Sequence, residues 1–296
     1  MKNNTLKSYS MLIAAMLIWG SVGIFRRNIP VSSEFLALTR GILGTLCMLL
    51  LIYYNRHKNI EWPSPINIMI LAFTGMLLGF NWIFLFEAFN FTTVPIATLC
   101  YYMEPTIVIL ISPLFFKDSI TVKHILIVFL TITGMIMISG LPDHSQIGYD
   151  SLKGVGFGLA AALLYAFTII LNKKIEQVDT YQKTFIQLAG AALIMLPYTF
   201  FTQAFPATVP DETTLLLLLT VGLVHTGLAY ALYFGSMRQL SARTVAICSY
   251  IDPISALFLS AIILDEALSP LGIVGAFLII GTLLASEIIS LKKIVH

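Results

Sequence analysis

Charge is what this sequence has least of. Only 11% of its 296 residues are Asp, Glu, Lys or Arg, against roughly 25% in a typical soluble domain. With 58% hydrophobic residues and a mean hydropathy of +0.89, the apolar surface exceeds what a water-soluble fold can hide. Cysteine is almost as scarce. Cys47, Cys100 and Cys248 lie inside apolar runs without metal-ligand spacing, which excludes a zinc motif and points away from a disulfide framework. No glycine-rich loop ends in Lys-Ser or Lys-Thr, and there is no nucleophile triad. With no nucleotide site, any active transport by such a chain would have to draw on a gradient. No cofactor, metal or nucleic-acid partner is expected, and no polar interruption is long enough for a soluble domain.

What is present is a succession of apolar runs. About 20 mostly apolar residues cross a bilayer, and such segments fall near 9–25, 35–54, 66–89, 94–116, 125–141, 154–171, 180–201, 215–236, 244–263 and 271–291. Backbone groups in hydrocarbon need internal partners, so each must be helical. The expected class is therefore an all-α polytopic membrane protein with ten transmembrane helices. Lys2 and Lys7 precede the first run, but no convincing cleavage site follows, and the run is read as a retained span rather than a signal peptide.

Lysine and arginine are unevenly divided between the two sides. Lys2, Lys7, Arg56, Lys58, Lys117, Lys123, Lys173, Lys174, Lys183, Arg238, Arg243, Lys292 and Lys293 share one side, against Arg26, Arg27 and Lys153 on the other. Positive residues stay inside, which predicts cytoplasmic termini and a cytoplasmic (inner) membrane location.

Two stretches stand out. Tyr101-Tyr102-Met103-Glu104-Pro105 and Ser249-Tyr250-Ile251-Asp252-Pro253 each place a carboxylate and a proline deep in an apolar run, where an acid is costly. Sliding the chain by 148 residues superposes them. It pairs Cys100 with Cys248, Tyr102 with Tyr250, Glu104 with Asp252 and Trp82 with Tyr230, while an offset of 146 pairs Trp19 with Tyr165. The halves, 8–141 and 154–290, read as repeats. Five spans in each means that the second enters the membrane from the opposite face. Inverted repeats of this kind place a substrate site near the midplane at their interface.

The run Ala229-Tyr230-Ala231-Leu232-Tyr233, with Ala242, Tyr250, Asp252-Pro253, Leu264-Asp265-Glu266-Ala267-Leu268-Ser269 and Gly281, resembles the second half of an EamA-type transporter of the drug/metabolite transporter superfamily. Trp19-Gly20-Ser21, Arg40 and Glu104-Pro105 resemble the first half, which departs from the pattern at Lys117-Asp118-Ser119. The resemblance implies ten helices around a central cavity and, in many bacterial members, export of amino acids or related metabolites.

Candidate substrate-binding residues are Trp19, Asn81, Tyr101, Glu104, Tyr165, Tyr230, Tyr250 and Asp252. Glu104 and Asp252 are open to three readings: ligands of a substrate amine, proton carriers, or neutral acids that join helices. His225 is a third candidate for proton coupling. Aromatic side chains line a cavity or pack against lipid and core. Arg40 and Glu87, both toward the outer end, are expected to form a structural ion pair. Asp265-Glu266 reads as a solvated turn that supplies negative charge to the last helix. Gly272, Gly275 and Gly281 offer small surfaces for close helix approach, and the resemblance implies that this region can contact a second copy of the chain. The expected partners are a small-molecule substrate and the lipid bilayer. An uptake permease of the same fold and an intramembrane lipid-modifying enzyme are the alternatives.

Overall fold

In the computed structural model, residues 2–54, 62–116, 121–138, 149–175, 178–237, 240 and 242–293 are described. Arg56, Lys58, Lys117-Asp118-Ser119 and Arg238, used above to orient the chain and compare its halves, lie outside them. All regular structure among the described residues is helical. The elements are α1 (Lys2–Gly20), α2 (Val22–Arg27), α3 (Ser33–Tyr54), α4 (Pro65–Phe91), α5 (Val94–Tyr101), α6 (Glu104–Phe116), α7 (Val122–Ile138), α8 (Tyr149–Asn172), α9 (Thr180–Phe201), α10 (Glu212–Gly222), a π-helical turn (Leu223–Leu228), α11 (Ala229–Ser236), α12 (Ala242–Ser249), α13 (Ile251–Ile263) and α14 (Pro270–Lys293).

Among the described residues, seven segments are long and apolar enough to cross a membrane, and Val122–Ile138, Ile247–Ile263 and Pro270–Ser286 are shorter apolar helices. Phe277, 74% exposed, Leu114 and Ile262 face outward, as lipid-facing side chains do. Caps mark several starts. Ser64 accepts from Asn67 N at 3.4 Å with Pro65 at the first helical position, where the missing N–H costs nothing. Asp179 caps α9 and Asp211 caps α10. The hydrogen bond from Thr214 holds the Asp211 carboxyl below the usual carboxylate range.

The strongest packing joins helices from different halves. α4 lies on α8 and α9, α3 on α9, α7 on α14, α1 on α11 and α13, and α5 on α13. Exchanging the halves reproduces most of these pairs: α4–α8 becomes α11–α1, α1–α13 becomes α8–α6, and α3–α9 and α7–α14 map onto themselves. Small residues permit the close approaches, as membrane helices lack a hydrophobic force between them and depend on contact. A Cβ at Gly190 would lie 2.5 Å from Ala72 O, and one at Gly134 would lie 2.8 Å from Gly275 O. Gly275, expected to serve a second copy of the chain, is therefore engaged within its own. The largest buried cluster, built on Trp82, Phe86, Phe89, Leu188 and Met195, holds α4 against α9.

Four long segments are interrupted midway. α5 ends at Tyr101 and α6 begins at Glu104, while α12 ends at Ser249 and α13 begins at Ile251. α1 gives way to α2 at Ser21, and the π-turn interrupts the segment from Glu212 to Ser236. The acid–proline pairs thus do more than bend a continuous helix. Each stands in the first turn of a new half-helix, where proline fits and an acid meets the positive end of the peptide dipoles. Pro105 cannot donate to Tyr101 O, nor Pro253 to Ser249 O, so carbonyls are released at both breaks.

Candidate substrate cavity

The two breaks come together because α5 packs on α13. The Tyr102 and Asp252 side chains lie close enough to act on each other, which brings the first break against the second. Tyr101 lies within electrostatic reach of Glu104, Asp252, Tyr230 and Arg40. Tyr165 is within reach of Tyr101, Glu104, Tyr230 and Tyr233. Tyr101, Tyr102, Glu104, Tyr165, Tyr230 and Asp252 are all half-buried and cluster around the two breaks. Their position between the two halves makes this cluster the candidate cavity lining.

Aromatic rings form two walls. Tyr101 stacks on Tyr165 at 5.6 Å between centroids. Trp19 meets Tyr230 edge-on at 5.2 Å and Tyr233 at 5.3 Å, and Tyr230 stacks on Phe234 at 5.7 Å. Trp19 and Tyr165, equivalent across the repeats, thus each pack on an aromatic from the opposite half. Tyr250 packs beside the cluster of Leu99, Cys100 and Met103.

A π-turn shifts the hydrogen-bond ladder and leaves carbonyls to be satisfied elsewhere. Trp19 Nε1 donates to His225 O at 2.9 Å, and Thr226 Oγ1 donates to Val221 O at 3.2 Å. His225 Nε2 lies 3.0 Å from Ser21 Oγ, which also donates to Ile18 O at 2.7 Å. The break in the first segment is thereby tied to the π-turn. His225 also packs edge-on against Phe25 at 4.5 Å, so this imidazole bridges helices. Asn81 is fully buried and donates to Ala161 O at 2.6 Å, joining α4 to α8, while its Oδ1 has no acceptor role fulfilled.

Arg40 and Glu87 do not pair. Arg40 Nε donates to Thr226 Oγ1 at 3.0 Å, and its guanidinium lies 4.4 Å above the centre of the Trp82 ring. Glu87 instead accepts from Ser33 and from Asn90, and Ser33 accepts from Arg26 at 3.2 Å. Both residues are on inner helices, but Arg40 turns toward the π-turn and Glu87 toward the loop after α2. The reading of Glu266 as part of a solvated turn also needs correction. Arg27 Nη2 donates to Glu266 Oε1 at 2.7 Å and to Thr92 O at 2.8 Å, and Glu266 Oε2 accepts from Val94 N at 2.6 Å. Thr92 Oγ1 is also 3.2 Å from Ser151 Oγ. This contact joins both halves at one end of the bundle. Local patterning missed it because its members are distant in sequence; the minority of positive charges on that side was the available signal.

The sequence profile of the EamA-like transporter family matches twice, over residues 6–140 and 152–286. The chain belongs to the EamA-like transporter family. It is 29% identical over 252 residues to the uncharacterized transporter YxxF of Bacillus subtilis, covering 85% of this chain and 80% of that one. It is 24% identical over 263 residues to protein RarD of Salmonella typhimurium, covering 85% and 84%. A crystal structure superposes with a TM-score of 0.64 at 18% identity, over 99% of both chains, which supports the fold alone. The protein is thus a multi-pass membrane transporter with a two-repeat architecture, residing in a lipid bilayer and acting on a small-molecule substrate.

Proposed function

We propose that this EamA-like protein is a gradient-driven secondary transporter that exports amino acids or related metabolites by alternating access. The proposed frame is ten membrane spans, arranged as two inverted repeats, 8–141 and 154–290, in the cytoplasmic membrane with both termini inside. Wall residues Trp19, Tyr101, Tyr165, Tyr230 and Tyr250 hold the solute's apolar part. Glu104 and Asp252 take its polar group or exchange protons with it.

The convergence of the two acid–proline breaks carries this reading. Each half contributes one carboxylate at the start of a half-helix, and Tyr102 of one half reaches Asp252 of the other. Rocking of the halves changes the surroundings of both acids together, which lets a ligand favour one state through differential affinity. Asn81 and His225 serve as helix bridges around the cavity, with the proton as the candidate coupling ion. Import by the same frame differs only in the gradient it uses.

Proteoliposomes provide the test. Glu104→Gln and Asp252→Asn are expected to insert normally and to cut solute flux at least about 10-fold, the loss of one charged hydrogen bond in transport terms. Wild-type flux from both single variants and from the double variant overturns the site. Dissipating the proton gradient separates coupled flux from facilitated exchange.

A further inference from the structure

Arg40 is a buried cation with no anionic partner among the described residues. The residue is 6% exposed and described in full, yet no carboxylate among the described residues lies within ion-pair distance. Guanidinium does not give up its proton in proteins and presents five N–H donors. Here only Nε is engaged, by Thr226. Trp82 covers a face of the group at 4.4 Å, and Phe86 flanks it at 5.7 Å. Stacking holds the plane and leaves its edge open. The two Nη groups find no acceptor among the described residues, and neither is sealed from accessible space.

The setting is asymmetric. Tyr230, Tyr101 and His225 lie within electrostatic reach of Arg40, whereas Glu104 and Asp252 do not act on it. Tyr101 stands between the two regions, within reach of Arg40 and of both acids. The cavity therefore has a cationic pole at Arg40, an acidic pole at Glu104 and Asp252, and an aromatic wall from Tyr101 to Tyr165 between them. A buried charge is expensive unless paired, and a guanidinium with a fixed plane and an open fork matches the two oxygens of a carboxylate.

From this geometry we infer that Arg40 is the anion-binding residue of the central cavity and that the solute it takes carries a carboxylate. Thr226 and Trp82 position the fork, Thr226 from the π-turn of one half and Trp82 from the other half. The solute's carboxylate lies at the fork and its remaining polar group extends past Tyr101 toward the acids. The inference rests on the transporter reading and adds a requirement to it: removal of the carboxylate removes binding.

The test uses the full-length protein in nanodiscs and follows the fluorescence of Trp82, assigned with Trp82→Phe. Probes are the twenty amino acids, leucinamide, 4-methylpentanoate and chloride. At least one carboxylate is expected to give a saturable signal in the wild type, with its amide at least about 10-fold weaker, as expected for loss of a charge-assisted pair. Arg40→Gln is expected to erase that preference, and Arg40→Lys, which keeps the charge but not the fork, to retain part of it. The wild-type comparison of acid with amide stands even if a variant fails to fold. No response to any carboxylate, equal binding of acid and amide, unchanged preference in a folded Arg40→Gln, or saturation by chloride alone overturns the assignment. Efflux from proteoliposomes separates the two readings. Flux of a solute without a carboxylate leaves the transporter standing and removes the anion site. Carboxylate binding without flux of any probe does the reverse.

Discussion

At one end of the bundle Arg27 joins Thr92 of its own half to Glu266 of the other, and Glu266 in turn holds the N-terminal amide of α5 through Val94. At the opposite end the residue at the equivalent repeat position, Lys173, is exposed and lies 4.5 Å over the Phe116 ring, with Lys174 at 5.4 Å over Phe115. The first contact ties three chain segments with charge-assisted hydrogen bonds, and its side chains are only 28% and 17% exposed. The second is a solvated contact worth about 0.5–1 kcal/mol. Near-equivalent halves have thus put their cations to different uses. In this structure the Glu266 end is the more firmly fastened of the two.

Removing the stronger contact should have the largest effect. Glu266→Gln keeps the shape and removes the charge. After allowance for solvent screening, about 1–3 kcal/mol of closure is expected to be lost, shifting the balance of states by roughly 5–150-fold. A cysteine at Thr92 should then react markedly faster with a polar thiol reagent, and an unchanged rate would detach Glu266 from closure. Exchanging the charges as Arg27→Glu with Glu266→Arg sharpens the comparison. It should recover part of the closure, because the ion pair re-forms while the carboxylate that received Val94 N is gone. Full recovery would mean that the amide contact contributes nothing. Lys173→Ala should have the smallest effect, with flux and thiol reactivity within about 5-fold of wild type, as its exposed cation–π contact allows. A larger change would place a stronger partner for Lys173 in the opposite state.

The helical segments were legible because apolar runs bounded by charge leave a bilayer-spanning chain few other options. The pairing of Glu104 with Asp252 was legible because a repeated acid–proline has no role in lipid-facing packing. What those residues do locally was not. In the sequence each acid and proline lie within one continuous apolar run, whereas the structure begins a new half-helix at each acid, where α5 packs on α13. The π-turn at His225 has no period of its own in the sequence, and it is stabilised by Trp19 from a distant helix. Arg40 was assigned to Glu87 by depth along the membrane. Depth does not give rotation about the helix axis, and rotation carries Arg40 to Thr226 and Trp82. Arg27 and Glu266 escaped for a related reason, as each by itself is an ordinary charge at a helix end.

Alternation around one central site is tested most directly by distance measurements at both ends of the same protein. Spin labels at Asn28 and Asp265 span the Glu266 end, and labels at Tyr54 and Lys174, both exposed, span the other. In Glu266→Gln the first distance should lengthen as the second shortens. Two distances that lengthen together, or that stay fixed while the protein still carries solute, would contradict alternating access.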